Sequence, residues 1–463
     1  MKLSHTAAAT SVAFDDGNLI GYAGLVPMVR LAESCGLPGL GRAHLDLGVV
    51  PNSAGANPVA KVMSVVSGMC TGADSIDDLD VLRHGAMGEL FDDVRAPSTI
   101  GSFLRMFTHG HNRQLHKVHR RFLAELAARS NLLPGSDTLA YPDIDPSHLR
   151  VYGHAKEGAE HGRLKGQRTL HPILSAISTE GAAPVIGAVR LRRGKSADVR
   201  GAESFVRESM GTARDAGCTG TMIMRADSKF YTGRVVAACR KAGTHFSITT
   251  GSNPSIRKRI AEIPEGGRIP IQYPHAIEDP DTGELISDAE IAEIEYTAFA
   301  SDKDHRITAR LVVRRVRDKN QPEGQDEPFP VWRYHAVFTD SPFELVRAEA
   351  DHRRHAVIEQ VIKDGKSSAL AHMPSGRFQA NNSWLILAAM AHNLMRAAGV
   401  LAGGSLAVAE TATLRARLVQ IPARIARGSR RITLHLPTRW RWETEWQRLF
   451  DATHGPPRAA TSR

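Results

Sequence analysis

Between residues 138 and 250 the chain strings short apolar runs and amphipathic stretches in an order that few architectures accommodate. TLAYPDID at 138–145 reads as a strand ending in two acids. TLHPILSAIS at 169–178 and PVIGAVRL at 184–191 read as two more strands. Residues 202–216 have helical spacing, GTMIMR at 220–225 is a fourth strand, 231–242 is helical, and HFSITT at 245–250 is a fifth strand. Three strands, helix, strand, helix, strand is an α/β order. In such sheets the carboxyl ends of the strands line the functional crevice. The first and fourth strands are expected to be neighbours, which brings Asp145 beside Asp227.

Around this core the sequence divides into five stretches. Residues 1–135 read as mostly helical: 57–70 begins near Pro58, 75–84 is a short amphipathic helix, and a Ser or Thr cap at 97–99 opens another. These precede the basic run HGHNRQLHKVHRR, a pattern similar to a helix-turn-helix DNA reader. His109, His111, His116 and His119 lack acidic or Cys partners and read as solvated or phosphate-facing. The turn NLLPGS separates this region from the first part of the core, 136–251. Residues 252–340 read as a β-rich insertion of alternating strands, including 306–317 and 330–338, whose outward arginines suit either a phosphate backbone or a solvated sheet face.

Residues 341–405 close the core. SPFELVRAEADHRRHAVIEQVIKDGK at 341–366 reads as one long helix, with Ser341 as cap, Pro342 at the first position and Glu344 completing a capping box. On it Glu359 shares a face with His352, His355, Lys363 and Lys366. The apolar run 384–401, interrupted by His392, Asn393 and Arg396, reads as a buried helix and not a membrane span. Residues 406–463 form a basic region where Arg424, Arg427, Arg430 and Arg431 precede Trp440, Trp442 and Trp446, the tryptophans reading as the core of a small unit.

A net charge of +10 favours a polyanionic partner, nucleic acid above all. Four scattered cysteines without a CxxC pair indicate neither a zinc ribbon nor a disulfide framework, and reduced thiols are the default. The first residues lack a sustained apolar stretch, so no signal peptide is expected.

Asp145, Asp227 and Glu359 are therefore candidate partners in one site. Carboxylates without Cys or His ligands favour Mg²⁺ or Mn²⁺ over zinc. Two such ions, about 3.5–4 Å apart, serve an in-line phosphodiester displacement, by water in hydrolysis or by a DNA 3′-hydroxyl in strand transfer.

DIDPSHLRVYG at 143–153, RADSKFY at 225–231 and HRRHAVIEQVIKDGK at 352–366 together resemble a bacterial insertion-sequence transposase of the DDE type, of the "thirteen-eighty" group related to the IS-four-like transposases. The resemblance extends through MPSGRFQANNSW and the following helix. It implies a ribonuclease-H-like catalytic core with the β-rich insertion between the second and third acids. The family's first acid lies two before a Ser or Thr, which selects Asp145 before Ser147 and leaves Asp143 in reserve. The second matches Asp227. The third motif, Tyr, two residues, Arg, three residues, Glu, six residues, Lys, places Glu359 and Lys366, with His352 and His355 standing where the family has Tyr and Arg. Arg353 or Arg354 can take over the missing guanidinium, and Lys363 with the histidines would add phosphate contacts.

The resemblance implies a protein that binds the double-stranded terminal inverted repeats of its element, cuts there with two Mg²⁺ or Mn²⁺ ions, and joins the 3′ ends to target DNA. It further implies a homodimer in the synaptic complex and a cytoplasmic, nucleoid-associated location. A metal nuclease without strand transfer, and a DNA-binding derivative without catalysis, share most of these features.

Overall fold

Alternating and fully apolar runs build one nine-stranded mixed sheet. In chain order its strands are β1 (Leu139–Pro146), β2 (Ile173–Ser178), β3 (Val185–Arg190), β4 (Thr221–Ala226), β5 (His245–Thr249), β6 (Ile269–Ile271), β7 (Ala289–Ala298), β8 (Ile307–Arg317) and β9 (Trp332–Thr339). They lie in the order β6-β7-β8-β9-β5-β4-β1-β2-β3. β1, β4 and β5 run parallel to one another, and β2 and β3 pair antiparallel on the far side of β1. The computed structural model describes residues 9–48, 53–162, 164, 166–271, 277–278, 285–286, 289–317, 332–428 and 431–455. Arg430 and the first two residues of the strand expected at 330–338 lie outside the described residues.

One feature of the sheet departs from the sequence reading. The run 169–178 is not one strand: Arg168–Leu170 belongs to a small three-stranded sheet, and the main sheet takes up only from Ile173, after Pro172. Proline supplies no ladder donor, so the break falls there. The β-rich stretch joins the core sheet directly: β9 pairs with β5 and carries β8, β7 and β6 onto it. Three of the four β8 arginines are engaged with acids: Arg310 with Glu293, Arg314 with Glu349, and Arg315 with both Glu265 and Glu290. Pro142 sits in central β1, at a gap in the parallel ladder with β4, which holds at Ala140 and resumes at Asp143.

Helices α1 (Leu25–Ser34), α2 (Leu37–His44), α3 (Pro58–Thr71), α4 (Pro97–Arg105) and α5 (His109–Ser130) precede the sheet. The stretch expected as a helix at 75–84 is instead a 3₁₀ segment, Asp77–Arg83, and α4 starts after Ala96 with no side-chain cap. α5 is capped reciprocally by Thr108 and His111. Only part of its basic run faces outward, since His119 is buried and His116 half-buried. Burial, reinforced for His116 by Arg190, Arg113 and His109, pushes both down to about 3, so these two are neutral and not phosphate-facing cations.

α6 (Ala202–Asp215), α7 (Gly233–Lys241) and α8 (Pro254–Ala261) follow within the sheet region, then α9 (Leu345–Arg353), α10 (Val357–Lys366), α11 (Phe378–Ala402) and α12 (Glu443–His454). α11 is long and apolar enough to cross a membrane by length and composition, and most of it is buried inside the protein. Trp384 on this helix is fully buried, its indole N–H donating to the Ala369 carbonyl. At the chain ends Leu19–Ile20 pairs with Ala423–Arg427, and Trp446 is buried while Trp440 donates to the Arg417 carbonyl. The four cysteines are free and buried.

α11 also protects the edge strand β3. The Asn393 amide accepts from Ile186 N at 2.8 Å and donates to Ile186 O at 2.9 Å, imitating a neighbouring strand. Asn382 Oδ1 accepts from Leu191 N at 3.1 Å. Replacing Asn393 with Ala leaves both Ile186 groups buried and bare, at a cost of about 1–3 kcal/mol. The expected result is a lower urea midpoint together with faster hydrogen exchange at the Ile186 amide.

Candidate active site

The register of β1 and β4 organises the site. Asp143 lies opposite Arg225 and Ile144 opposite Ala226 in the parallel ladder, so the next step brings Asp145 and Asp227 to adjacent strand ends. Side chains two apart share a sheet face. The pairs Asp143 with Arg225 and Asp145 with Asp227 therefore stand in two successive rows on the same side.

The inner row is a buried clamp. Arg225 donates from Nε to Asp143 Oδ1 at 2.8 Å and from Nη2 to Asp143 Oδ2 at 2.7 Å. Its remaining arm, Nη1, donates to the Asp351 carbonyl at 2.5 Å, near the end of α9, and its guanidinium lies 4.3 Å from the Tyr141 ring centre. His355 Nδ1 is 2.8 Å from Asp143 Oδ1. Asp143 is thus fully buried with both oxygens engaged. Sequence reasoning passed over Arg225, although its place two before Asp227, on the same strand face, was the available signal.

The outer row opens to solvent. Asp145 and Asp227 are half-buried and Glu359 is exposed. Burial, then the carboxylate of Asp227 and, to a smaller extent, that of Glu359, push Asp145 up to about 7 against the opposing pull of His355 and Lys229. Asp227 caps the 3₁₀ turn Ser228–Phe230, accepting from Lys229 N at 3.0 Å, and lies 3.2 Å from Lys229 Nζ. Asp145, Ser147, Glu359, Lys363 and Lys366 line one open crevice of about 530 Å³. Partial desolvation holds the Lys366 ammonium below the usual lysine range, and Asp145 opposes that shift.

The helix expected over 341–366 is two helices. Arg310 donates to the Ser341 and Phe343 carbonyls at 2.9 and 2.5 Å, and the Ser341 hydroxyl accepts from Phe343 N at 3.4 Å. These bonds hold 341–343 in a bend, so Ser341 does not cap a helix, and α9 starts only after Glu344. A 3₁₀ turn, Arg354–Ala356, then separates α9 from α10. The turn redirects the chain, and the single polar face expected for His352, His355 and Glu359 splits. His352 is buried, 2.9 Å from both the Ser247 and Thr249 hydroxyls on β5, and so does not reach the crevice. His355 belongs to the Asp143 clamp. Arg354 is exposed, 3.4 Å from Asp351 and 4.0 Å from Glu180. Glu359, Lys363 and Lys366 remain together on α10.

Burial, followed by His355, Arg225 and Arg314, pushes His352 down to about 3, so the folded ring is neutral. An unfolded imidazole titrates near 6.5. Below that pH the unfolded chain binds a proton that the fold does not. The stability present above about pH 6.5 is lost as the pH falls towards 3, by up to about 1.4 kcal/mol per pH unit from this group. His352→Gln retains hydrogen-bonding capacity without the titration. Its urea midpoint is expected to decline less than that of the wild type between pH 6.5 and 5.

The chemistry of the outer row suits a hard divalent cation. Its donors are carboxylates, and their mutual repulsion across a partly buried crevice is what a bound cation relieves. No three His, Cys, Asp or Glu side chains among the described residues converge on a single point, so the acids share a field and do not form a closed shell.

Fold and site define a class: a mixed α/β protein with acids gathered at the carboxyl ends of its parallel strands and lysines beside them. The sequence matches the family described as Transposase DDE domain group 1 over residues 5–454, and the chain belongs to that family of DDE transposases. No curated protein matches it. Among solved structures it is similar to piggyBac transposase in a synaptic complex with hairpin DNA, with a TM-score of 0.38 and 11% identity over 86% of this chain and 79% of that one.

Proposed function

We propose that this transposase binds the terminal inverted repeats of an insertion sequence, cuts the DNA there and joins the 3′ ends to a target. Its group would be the "thirteen-eighty" transposases, and the strand order around β1 is compatible with a ribonuclease-H-like core. The observation that carries the reading is the juxtaposition of Asp145 and Asp227 at adjacent parallel strand ends, with Glu359 in the same electrostatic field. Asp145, Asp227 and Glu359 would hold one or two Mg²⁺ or Mn²⁺ ions, which supply Lewis-acid charge to a phosphodiester undergoing in-line displacement.

The chain's own residues do the rest. Lys363 and Lys366 place two ammonium groups on the crevice wall, where they grip phosphate oxygens. Exposed Arg354 is better suited than either histidine to the role of the family's missing guanidinium, since His352 is buried and neutral and His355 is tied to Asp143. The Asp143–Arg225–His355 clamp fixes α9 and the turn before α10 against β1 and β4, so that Glu359 is held over the strand ends. The helical N-terminal region is assigned to end recognition, and the partner is duplex DNA bound by a homodimer.

Lys366→Ala tests the grip. It is expected to raise the DNA concentration needed for half-maximal Mg²⁺-dependent cleavage several-fold. Unchanged concentration dependence and rate would remove Lys366 from the site.

A further inference from the structure

A second charged cleft, sharing no lining residue with the carboxylate crevice, lies at the β3 edge of the sheet beside α11. It occupies about 700 Å³ between α5 and α6, with Gly187 and Ala188 of β3 as part of its floor. Arg113, Lys117, Arg120, Arg190 and Arg207 line it, and Glu208 is the one acid among its lining residues. Glu208 is committed to Arg190 at 2.6 Å, and Arg120 to Asp215 at 2.5 Å. Among the described residues Arg207 has a single long ion-pair contact, 3.9 Å from Glu203, between side chains that are both exposed. Arg113 and Lys117, one turn apart on α5, are exposed and have no ion-pair partner among the described residues. The surplus charge is felt inside the cleft, where Arg190, Arg113 and His109 add to burial in keeping His116 neutral.

Cations left unneutralised on both walls of an open groove cost self-repulsion unless an anion fills it. Two helices presenting separated positive groups suit a polymer with regularly spaced phosphates. A further cleft shares Phe378 and Gln379 with this one and sets Lys156, Arg168 and Arg193 beside Glu157 and Glu160.

We propose that the α5–α6 cleft is a docking surface for the backbone of duplex DNA, separate from the carboxylate crevice, holding phosphates with Arg113 and Lys117 from one wall and Arg207 from the other. The inference rests on the reading of this protein as one that acts on DNA, and it names where a second stretch of that DNA lies.

The test measures binding of a duplex carrying one element end across a salt series, in the full-length Asp227→Asn protein so that DNA is not consumed. Removing one phosphate-binding cation lowers the slope of log affinity against log salt by about 0.9. Arg113→Glu/Lys117→Glu is expected to lower the slope by about 2 and the affinity at least tenfold, with an unchanged melting temperature. Arg207→Ala, on the opposite wall, is expected to lower the slope by about 1, and stands in if the double variant folds poorly. A control with the same charge change on α8, outside the N-terminal region, the crevice and the cleft, Arg257→Glu/Lys258→Glu, is expected to keep the parental slope. Parental slopes in both cleft variants, or an equal fall in the control, would overturn the docking surface alone. Failure of the parent protein to bind the duplex would overturn the functional reading and the surface with it.

Discussion

Asp227→Asn is expected to abolish Mg²⁺-dependent cleavage of element-end DNA, with a loss on the order of a thousandfold or more. It should leave duplex binding within a few-fold of the wild type. The substitution separates chemistry from folding because of how Asp227 is held. Its Oδ1 accepts from Lys229 N as the cap of a short turn, and an Asn side-chain oxygen caps equally well. Its other contact, with Lys229 Nζ at 3.2 Å, joins two partly exposed side chains and contributes little to stability. What disappears is one full negative charge beside Asp145. Cleavage assays with labelled end DNA, run beside a binding assay, read both quantities. Cleavage that survives Asp227→Asn would remove Asp227 from the reaction.

The second large effect lies one row deeper. Arg225→Met is expected to destabilise the fold by about 3–5 kcal/mol, because it leaves the Asp143 carboxylate buried without its guanidinium. Arg225 is 1% and Asp143 0% exposed, so water cannot take the place of the missing partner. Arg225→Lys recovers part of the loss at most, since an ammonium cannot form the paired bonds to both carboxylate oxygens and still reach the Asp351 carbonyl. Adding Asp143→Leu to Arg225→Met removes the stranded charge, and the double variant should cost less than the sum of the two single changes. Urea titration of the wild type and these variants measures each cost. A cost below about 1 kcal/mol for Arg225→Met would show that the clamp does not hold the sheet and α9 together.

The two rows also explain what could be read from the sequence. Most of the strand–helix order from residue 138 to 250 was legible because the runs differ in period and length, and the likeness of that order to a ribonuclease-H-like core placed β1 beside β4. Asp145 and Asp227 followed from their positions at strand ends. Glu359 and Lys366 share the crevice because seven residues make two turns on a helix that does form, α10. The helix start at Ser341 and the continuity through Arg354–Ala356 were not legible. Both depend on partners far away in sequence: Arg310 of β8 takes the carbonyls at Ser341 and Phe343, and Arg225 of β4 takes the carbonyl of Asp351. A local capping pattern loses to such long-range bonds. The same applies to His352, which reads as a surface residue in a charged run until β5 supplies Ser247 and Thr249. The arginines of β8 were ambiguous for a related reason, because their acidic partners, Glu293, Glu349, Glu265 and Glu290, sit on neighbouring elements.

The most direct test of the central claim is a joining assay. Pre-cut element ends with a free 3′-hydroxyl are incubated with target DNA, Mg²⁺ and either the wild-type protein or Glu359→Gln. Glu359 is exposed on α10, so its replacement leaves the fold intact while removing the third acid. Joined products are expected with the wild type and none with Glu359→Gln. Joining that persists in Glu359→Gln would contradict the assignment of the site, and a wild type that cuts ends but never joins them would contradict strand transfer.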